Sequence, residues 1–244
     1  NRLKGKTGIL LLQQNSTRTR IAFEAGMAQL GGHSIFLSDQ DSQASRGEPL
    51  EDFARVASQM ADVIMTRRPK HEDIELLAKN STIPVINGMS SLLHPCQLLA
   101  DMQTFAELRG PIKDKSVAFI GDGYNMCNSY IEASIAFQFK LNIATPSGYE
   151  PNAQFVGNDT NIQLFSSPEE AAGGADLVVT DIWSSMGQQD ETEKKKDFDT
   201  HPVLDRMEKQ LEKSQIPRKY IKNVDLSWAN EDLSRLTQQY TNRD

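Results

Sequence analysis

Thr7-Gly8-Ile9-Leu10-Leu11-Leu12, then Ser16-Thr17-Arg18-Thr19-Arg20, then Ile21-Ala22-Phe23-Glu24-Ala25-Gly26-Met27-Ala28-Gln29-Leu30 form the stretch that decides the fold. The first piece is an unbroken apolar run of strand length, as expected for a strand covered on both faces. The last piece predicts an amphipathic helix, closed by Gly31-Gly32. The Ser/Thr cluster between them is an N-cap signal. A helix start placed there turns free N–H groups and the positive dipole end outward, which suits a phosphate. Arg18 adds a planar fork that grips phosphate through two hydrogen bonds. Taken alone, the motif reads equally as an ordinary cap with solvated arginines.

Outward from this unit, apolar runs and helical patterns alternate. Strands are expected at 7–12, 34–37, 62–66 and 83–86, and helices at 17–30, 50–60, 71–79 and 95–108. Gly110-Pro111 then breaks the chain. The alternation restarts with a strand at Ser116-Val117-Ala118-Phe119-Ile120 and a helix from Asn125 to Phe137. Three more strands follow at 141–144, 162–165 and 177–180, with a short helix at 168–173. Such alternation predicts an α/β protein with two doubly wound parallel-sheet domains. Their expected bounds are residues 1–110 and 111–203. Residues 188–222 are rich in Lys, Glu, Asp and Gln, and residues 204–244 form an unassigned polar tail with one weak helical pattern around 231–240. No repeat of solenoid period is present.

Composition narrows the function classes. The 244 residues are 38% hydrophobic and 24% charged, as in a soluble globular protein. A net charge of −7 argues against a general nucleic-acid binder, so any anion site must be a local arrangement of Arg and N–H groups. No apolar run approaches the ~20 residues that cross a bilayer, and the first residues lack a signal peptide's apolar core. Two cysteines make no disulfide framework, and Cys96 and Cys127 are expected to remain thiols in a reducing cytosol.

Gly121-Asp122-Gly123 after a strand invites a dinucleotide reading, but the G-x-G-x-x-G spacing fails, because Tyr124, Asn125 and Met126 follow. Ala144-Thr145-Pro146 also stands where an acidic residue would be needed. Three further stretches complete the pattern: Val85-Ile86-Asn87-Gly88, His94-Pro95-Cys96-Gln97 before a helical run, and Ser184-Ser185-Met186-Gly187 after the strand ending in Asp181. In this order, with Ala144-Thr145-Pro146-Ser147-Gly148-Tyr149-Glu150-Pro151, they resemble the transcarbamoylase family from about Leu3 to about Val203. The Ser-Met-Gly loop resembles the ornithine branch rather than the aspartate branch.

The resemblance implies transfer of a carbamoyl group from carbamoyl phosphate to the side-chain amine of ornithine, in a cleft between the two domains. Ser16, Thr17, Arg18 and Thr19 would hold the phosphate. Arg67, His94 and Thr19 would surround the carbonyl oxygen, and Gln97 would accept from the carbamoyl NH₂. Gln43 either reaches a neighbouring subunit's phosphate site or is an exposed loop glutamine. Asn125 would meet the substrate's α-carboxylate and Asp181 its α-ammonium, with Ser185 and Met186 closing over that end. Arg67, His94 and Asp181 are thus the catalytic candidates. The family pattern further implies a cytoplasmic homotrimer with no metal or organic cofactor, since the donor is already activated. The remaining alternatives are a different acceptor amine and a catalytically silent homologue that binds carbamoyl phosphate.

Two departures stand out. The family has two asparagines after Gly123, and this sequence has Tyr124-Asn125. Its His-Cys-Leu-Pro motif, whose Cys lies near the reacting amine, is not found after Gly187. Neither the family's helix ahead of Leu3-Lys4-Gly5-Lys6 nor its C-terminal helix is matched. The expectation from these is carbamoyl phosphate binding with weak or absent citrulline production by these residues alone.

Overall fold

The computed structural model describes residues 2–40, 42–157 and 159–181. Ser185, Met186 and the polar tail with its expected helix lie outside the described residues. The described residues separate into two compact units, divided between Gln97 and Leu98.

The first unit runs β1 (Thr7–Leu12), α1 (Thr17–Gln29), β2 (His33–Ser38), a 3-10 turn (Gln43–Arg46), α2 (Leu50–Ala57), β3 (Val63–Arg67), α3 (His71–Asn80) and β4 (Val85–Met89), and ends at the start of α4 (Pro95–Arg109). All pairings are parallel, in the order β2-β1-β3-β4. Side chains alternate across the central strands and meet different partners on the two faces. Ile9, Leu11 and Ile64 pack with Ala54, Ala57 and Leu77 from α2 and α3. Leu10, Leu12 and Met65 pack instead with Phe23 of α1 and Phe36. Helices therefore cover both faces, as the apolar run of β1 requires.

The second unit repeats this plan with β5 (Ser116–Ile120), α5 (Asn125–Phe137), β6 (Lys140–Ala144), α6 (Ala153–Val156), β7 (Ile162–Phe165), α7 (Pro168–Ala172) and β8 (Leu177–Thr180). Its parallel order is β7-β6-β5-β8. Val117, Phe119, Leu141 and Ile143 face Tyr130 and Ile131 of α5, together with Leu98, Met102 and Phe105 of α4. Ile120 and Ala144 face Ala171 of α7. The rings of Phe119 and Tyr130 lie 5.7 Å apart and tilted by 43°, a favourable aromatic geometry.

Several expectations need correction. The helix expected at 50–60 ends at Ala57, because Ser58, Met60 and Ala61 turn back onto Ala54 and Ala57 carbonyls. β4 begins after Pro84 rather than at 83 and continues past 86 through Asn87 and Gly88 to Met89. Pro84 lends only its carbonyl to the ladder, and the register slips past Gly88 in a bulge. An alanine Cβ at Gly88 would stand 2.5 Å from the Met65 sulfur and 3.0 Å from the Thr66 carbonyl oxygen, so the buried Met65 side chain would have to move to admit it. In α1, expected to be amphipathic, only Met27 is buried, while Ile21 and Leu30 are exposed. The sheet strip beneath is narrow, and Phe23 and Met27, one turn apart, cover it. The 3-10 turn and α6 were not foreseen.

Candidate active site

In an open parallel sheet, ligands bind at the strand C-termini where the chain reverses its direction of winding. In the first unit that point lies between β1 and β3, where Leu12 pairs with Arg67. The Gln13 N–H donates to the Arg67 carbonyl at 3.0 Å and locks the two exits together. Four residues beyond β1, Ser16 is extended (φ −149°, ψ 104°) and caps α1. Its Oγ accepts from the Thr19 N–H at 3.4 Å and donates to Thr19 Oγ1 at 2.9 Å. The Arg67 guanidinium donates from Nη1 to the same Thr19 hydroxyl at 3.3 Å. Ser16, Thr19 and Arg67 therefore form one connected group, with Thr17 and Arg18 exposed on the first turn of α1. Gln43 is exposed on the 3-10 turn, and no hydrogen bond among the described residues ties its side chain to this group.

The electrostatics are those of an anion site. Arg67 is only 6% exposed, and no carboxylate among the described residues pairs with it. Burial, and then the charge of Arg18, hold its guanidinium below the ordinary value. A buried cation of this kind is stabilised by a bound anion, and its planar fork suits phosphate. His94 stands just ahead of α4. Burial first, then the Arg67 charge, push its imidazole down to about 4, so it is neutral at pH 7. A neutral imidazole there can donate a hydrogen bond without bringing a second charge. Gln97 lies half-buried one turn further on.

The sequence reading missed Arg68. It lies in the charged run Arg67-Arg68-Pro69-Lys70, which reads as surface, yet its side chain is 4% exposed. It donates to Asp39 Oδ1 at 2.8 Å and Gln13 Oε1 at 3.5 Å and lies 3.8 Å from Asp73. The exits of β1 and β2 and the first turn of α3 thus converge on one buried cation. Its partners are distant in sequence, so no local pattern marks it.

In the second unit the reversal lies between β5 and β8, where Ile120 pairs with Thr180. The next residues are Gly121, with φ 153°, and Asp181. A Cβ on Gly121 would stand 3.4 Å from the Asp181 nitrogen, so the two chains run closely side by side. Asn125 is 5% exposed in the first turn of α5, and the capping position, Tyr124, makes no side-chain cap bond. Asp122 and Asp181 both raise the Cys127 thiol by their charge, after burial, which is the larger cause. Two carboxylates thus stand at this strand end, a setting for an ammonium group. Burial also raises the Cys96 thiol, which donates to the Asn87 carbonyl at 3.3 Å. Both cysteines are free thiols, and neither is activated as a nucleophile. Among the described residues no group of three or more His, Cys, Asp or Glu side chains could hold a metal ion, and no helix is long and apolar enough to cross a membrane.

Comparison with known proteins agrees with both halves. Residues 1–107 match the carbamoyl-P binding domain of aspartate/ornithine carbamoyltransferase, and residues 113–223 match the Asp/Orn binding domain. Over 195 residues the chain is 54% identical to an ornithine carbamoyltransferase of Pseudomonas syringae pv. tomato, covering 80% of this chain and 64% of that protein. It is 51% identical over 207 residues to one from Ruthia magnifica, covering 83% and 69%. The ornithine carbamoyltransferase structure from Pyrococcus furiosus superposes with a TM-score of 0.75 at 43% identity, over 80% of this chain and 65% of that one. The chain thus spans a little under two thirds of the Pseudomonas relative's length. With both domain models matched in order and relatives above half identity, the chain belongs to the aspartate/ornithine carbamoyltransferase family.

Proposed function

We propose that this protein transfers the carbamoyl group of carbamoyl phosphate to the side-chain amine of ornithine, giving citrulline and phosphate. The observation that carries the reading is Arg67, buried without a carboxylate partner among the described residues and bonded to the Thr19 hydroxyl beside a Ser16-capped helix start. The phosphate rests on the first turn of α1 and Arg18. Arg67, Thr19 and neutral His94 donate to the carbonyl oxygen as the amine attacks, where preorganised donors lower the barrier most. Gln97 accepts from the carbamoyl NH₂. The C–O bond to phosphate then breaks, and the departing phosphate takes the amine's proton.

Ornithine is the preferred acceptor. Asn125 at the start of α5 binds its α-carboxylate, and Asp181 binds its α-ammonium, with Ser185 and Met186 completing that end. The relatives' names and the twin carboxylates of the second unit support this choice. Along the sequence the carbamoyl phosphate domain ends at Gly110-Pro111, a division supported by the gap between the two matched models and the positive φ of Gly110, while the cores divide earlier, between Gln97 and Leu98, because α4 packs with the second sheet. The enzyme works in the cytoplasm as a homotrimer, with Gln43 serving a neighbouring subunit. Free thiols and the exposure of Gln43 support these two points.

Citrulline formation from carbamoyl phosphate and ornithine tests the reading directly. Rate with putrescine or another amine in preference to ornithine would replace the acceptor assignment. Carbamoyl phosphate binding with no product from any amine would make the chain a silent homologue. Light scattering tests the trimer, and loss of rate in Gln43→Ala without loss of assembly tests the shared site.

A further inference from the structure

We propose that Ser90, oriented by His71, is a positioning residue that holds the loop 90–93 in the form that delivers His94 to the carbonyl site. The inference rests on the function proposed above and adds two residues to those named there.

The loop joins β4 to α4, and one hydroxyl gathers its backbone N–H groups. Ser90 is fully buried. Its Oγ accepts from the Leu92 N–H at 3.2 Å and the Leu93 N–H at 3.1 Å, and lies 3.3 Å from the Leu93 carbonyl. Its own N–H donates to that carbonyl at 2.8 Å. The loop thus closes on Ser90 in a tight turn, and His94 is the next residue out. A hydroxyl that takes two backbone N–H groups must itself be held, and the His71 Nδ1 stands 2.9 Å from it. His71 opens α3, so its ring has a fixed origin. Two backbone bonds tie the end of β4 and this loop to the exit of β3: Arg68 N–H to the Met89 carbonyl at 3.1 Å, and Ser91 N–H to the Pro69 carbonyl at 2.9 Å. The segments that carry Arg67 and His94 are therefore braced against each other by backbone hydrogen bonds. Without the Ser90 hydroxyl, two N–H groups lose their acceptor and the loop is free to relax.

The position of His94 has its own reporter. Its imidazole is held at about 4 by burial and by Arg67, so displacement from that place returns it toward the ordinary ~6.5. The test uses Ser90→Ala, His71→Phe and His71→Asn in the full chain. Phe keeps the bulk of the ring without Nδ1, and Asn restores a polar atom close to that nitrogen. In Ser90→Ala and His71→Phe the His94 Cε1 proton resonance should titrate well above 4. Citrulline kcat should fall on the order of 10²-fold, as for a displaced catalytic group, with KM for ornithine unchanged. His71→Asn should recover most of both.

A merely structural role would lower the unfolding midpoint and leave the His94 titration and kcat in place, and that result overturns the proposal. Equal loss in His71→Phe and His71→Asn also overturns the role of His71. If the unmodified protein forms no citrulline, the proposed function fails, and the His94 titration still decides the positioning role on its own. Should Ser90→Ala not fold, the two His71 variants decide it.

Discussion

Replacing Gly123 by alanine should damage the acceptor half of the protein and spare the donor half. The added Cβ would stand 2.3 Å from the Pro151 nitrogen, 2.4 Å from the Glu150 carbonyl carbon and 2.5 Å from the Tyr149 oxygen. All three are backbone atoms, so no side chain can rotate away. The segments must part by roughly 1 Å to reach ordinary contact. That movement also breaks the 2.8 Å hydrogen bond from the Gly123 N–H to the Tyr149 carbonyl. Overpacking of about 1–3 kcal/mol and a lost hydrogen bond of about 1 kcal/mol together give a loss of about 2–4 kcal/mol. The displaced segment carries Asp122 and leads into Asn125, so ornithine affinity should fall with it. Urea unfolding gives the stability, and calorimetry with carbamoyl phosphate and then ornithine separates the two halves. An unfolding free energy within about 0.5 kcal/mol of the parent, with ornithine affinity intact, would refute the reasoning from close backbone approach.

Three further outcomes are expected. Gly26, inside α1 with open space around its Cβ position, should tolerate alanine and gain about 0.5–1 kcal/mol of stability in thermal unfolding. Arg67→Ala should weaken carbamoyl phosphate binding by about 1.5–3 kcal/mol, the worth of a charged hydrogen bond, in the same calorimetric assay. His94 has a folded value near 4, below the ordinary ~6.5. Its contribution to stability is therefore complete above pH 6.5 and is lost as pH falls from there toward 4, about 2 kcal/mol of it by pH 5. Urea midpoints at pH 7 and 5 should differ less in His94→Gln than in the parent.

How far the sequence could be read depended on where each residue's partners lie. β1, β5 and the cap at Ser16 were legible because their signals are local. A strand buried on both faces is apolar throughout, and a cap sits beside the helix it serves. The end of α2 and the start of β4 were misplaced, since Ser58 and Pro84 act through bonds to carbonyls and a neighbouring strand. Arg67 and His94 are singled out by motif, but their burial and mutual influence come from tertiary folding. Arg68 was misjudged for the same reason: Gln13, Asp39 and Asp73 meet it only once three separate segments converge. Ser90 drew no notice because a serine in a loop is ordinary until its neighbours' N–H groups are seen to aim at it.

The path of α4 sets a rule for splitting or recombining this protein. His94 and Gln97 are proposed to serve the carbamoyl donor, whereas Leu98, Met102 and Phe105, each under 8% exposed, lie in the core beneath β5 and β6. The Tyr130 hydroxyl fastens the same stretch by donating to Asp101 at 2.9 Å. A fragment ending near 107 would carry that apolar stripe into solvent, and the complementary piece would lack part of its own interior. Such fragments should aggregate when expressed singly and recover when co-expressed. Chimaeras with a homologue should keep residues 98–109 with the second sheet, so the productive crossover lies ahead of Leu98, inside a helix, rather than at the glycine-proline break that looks like a seam.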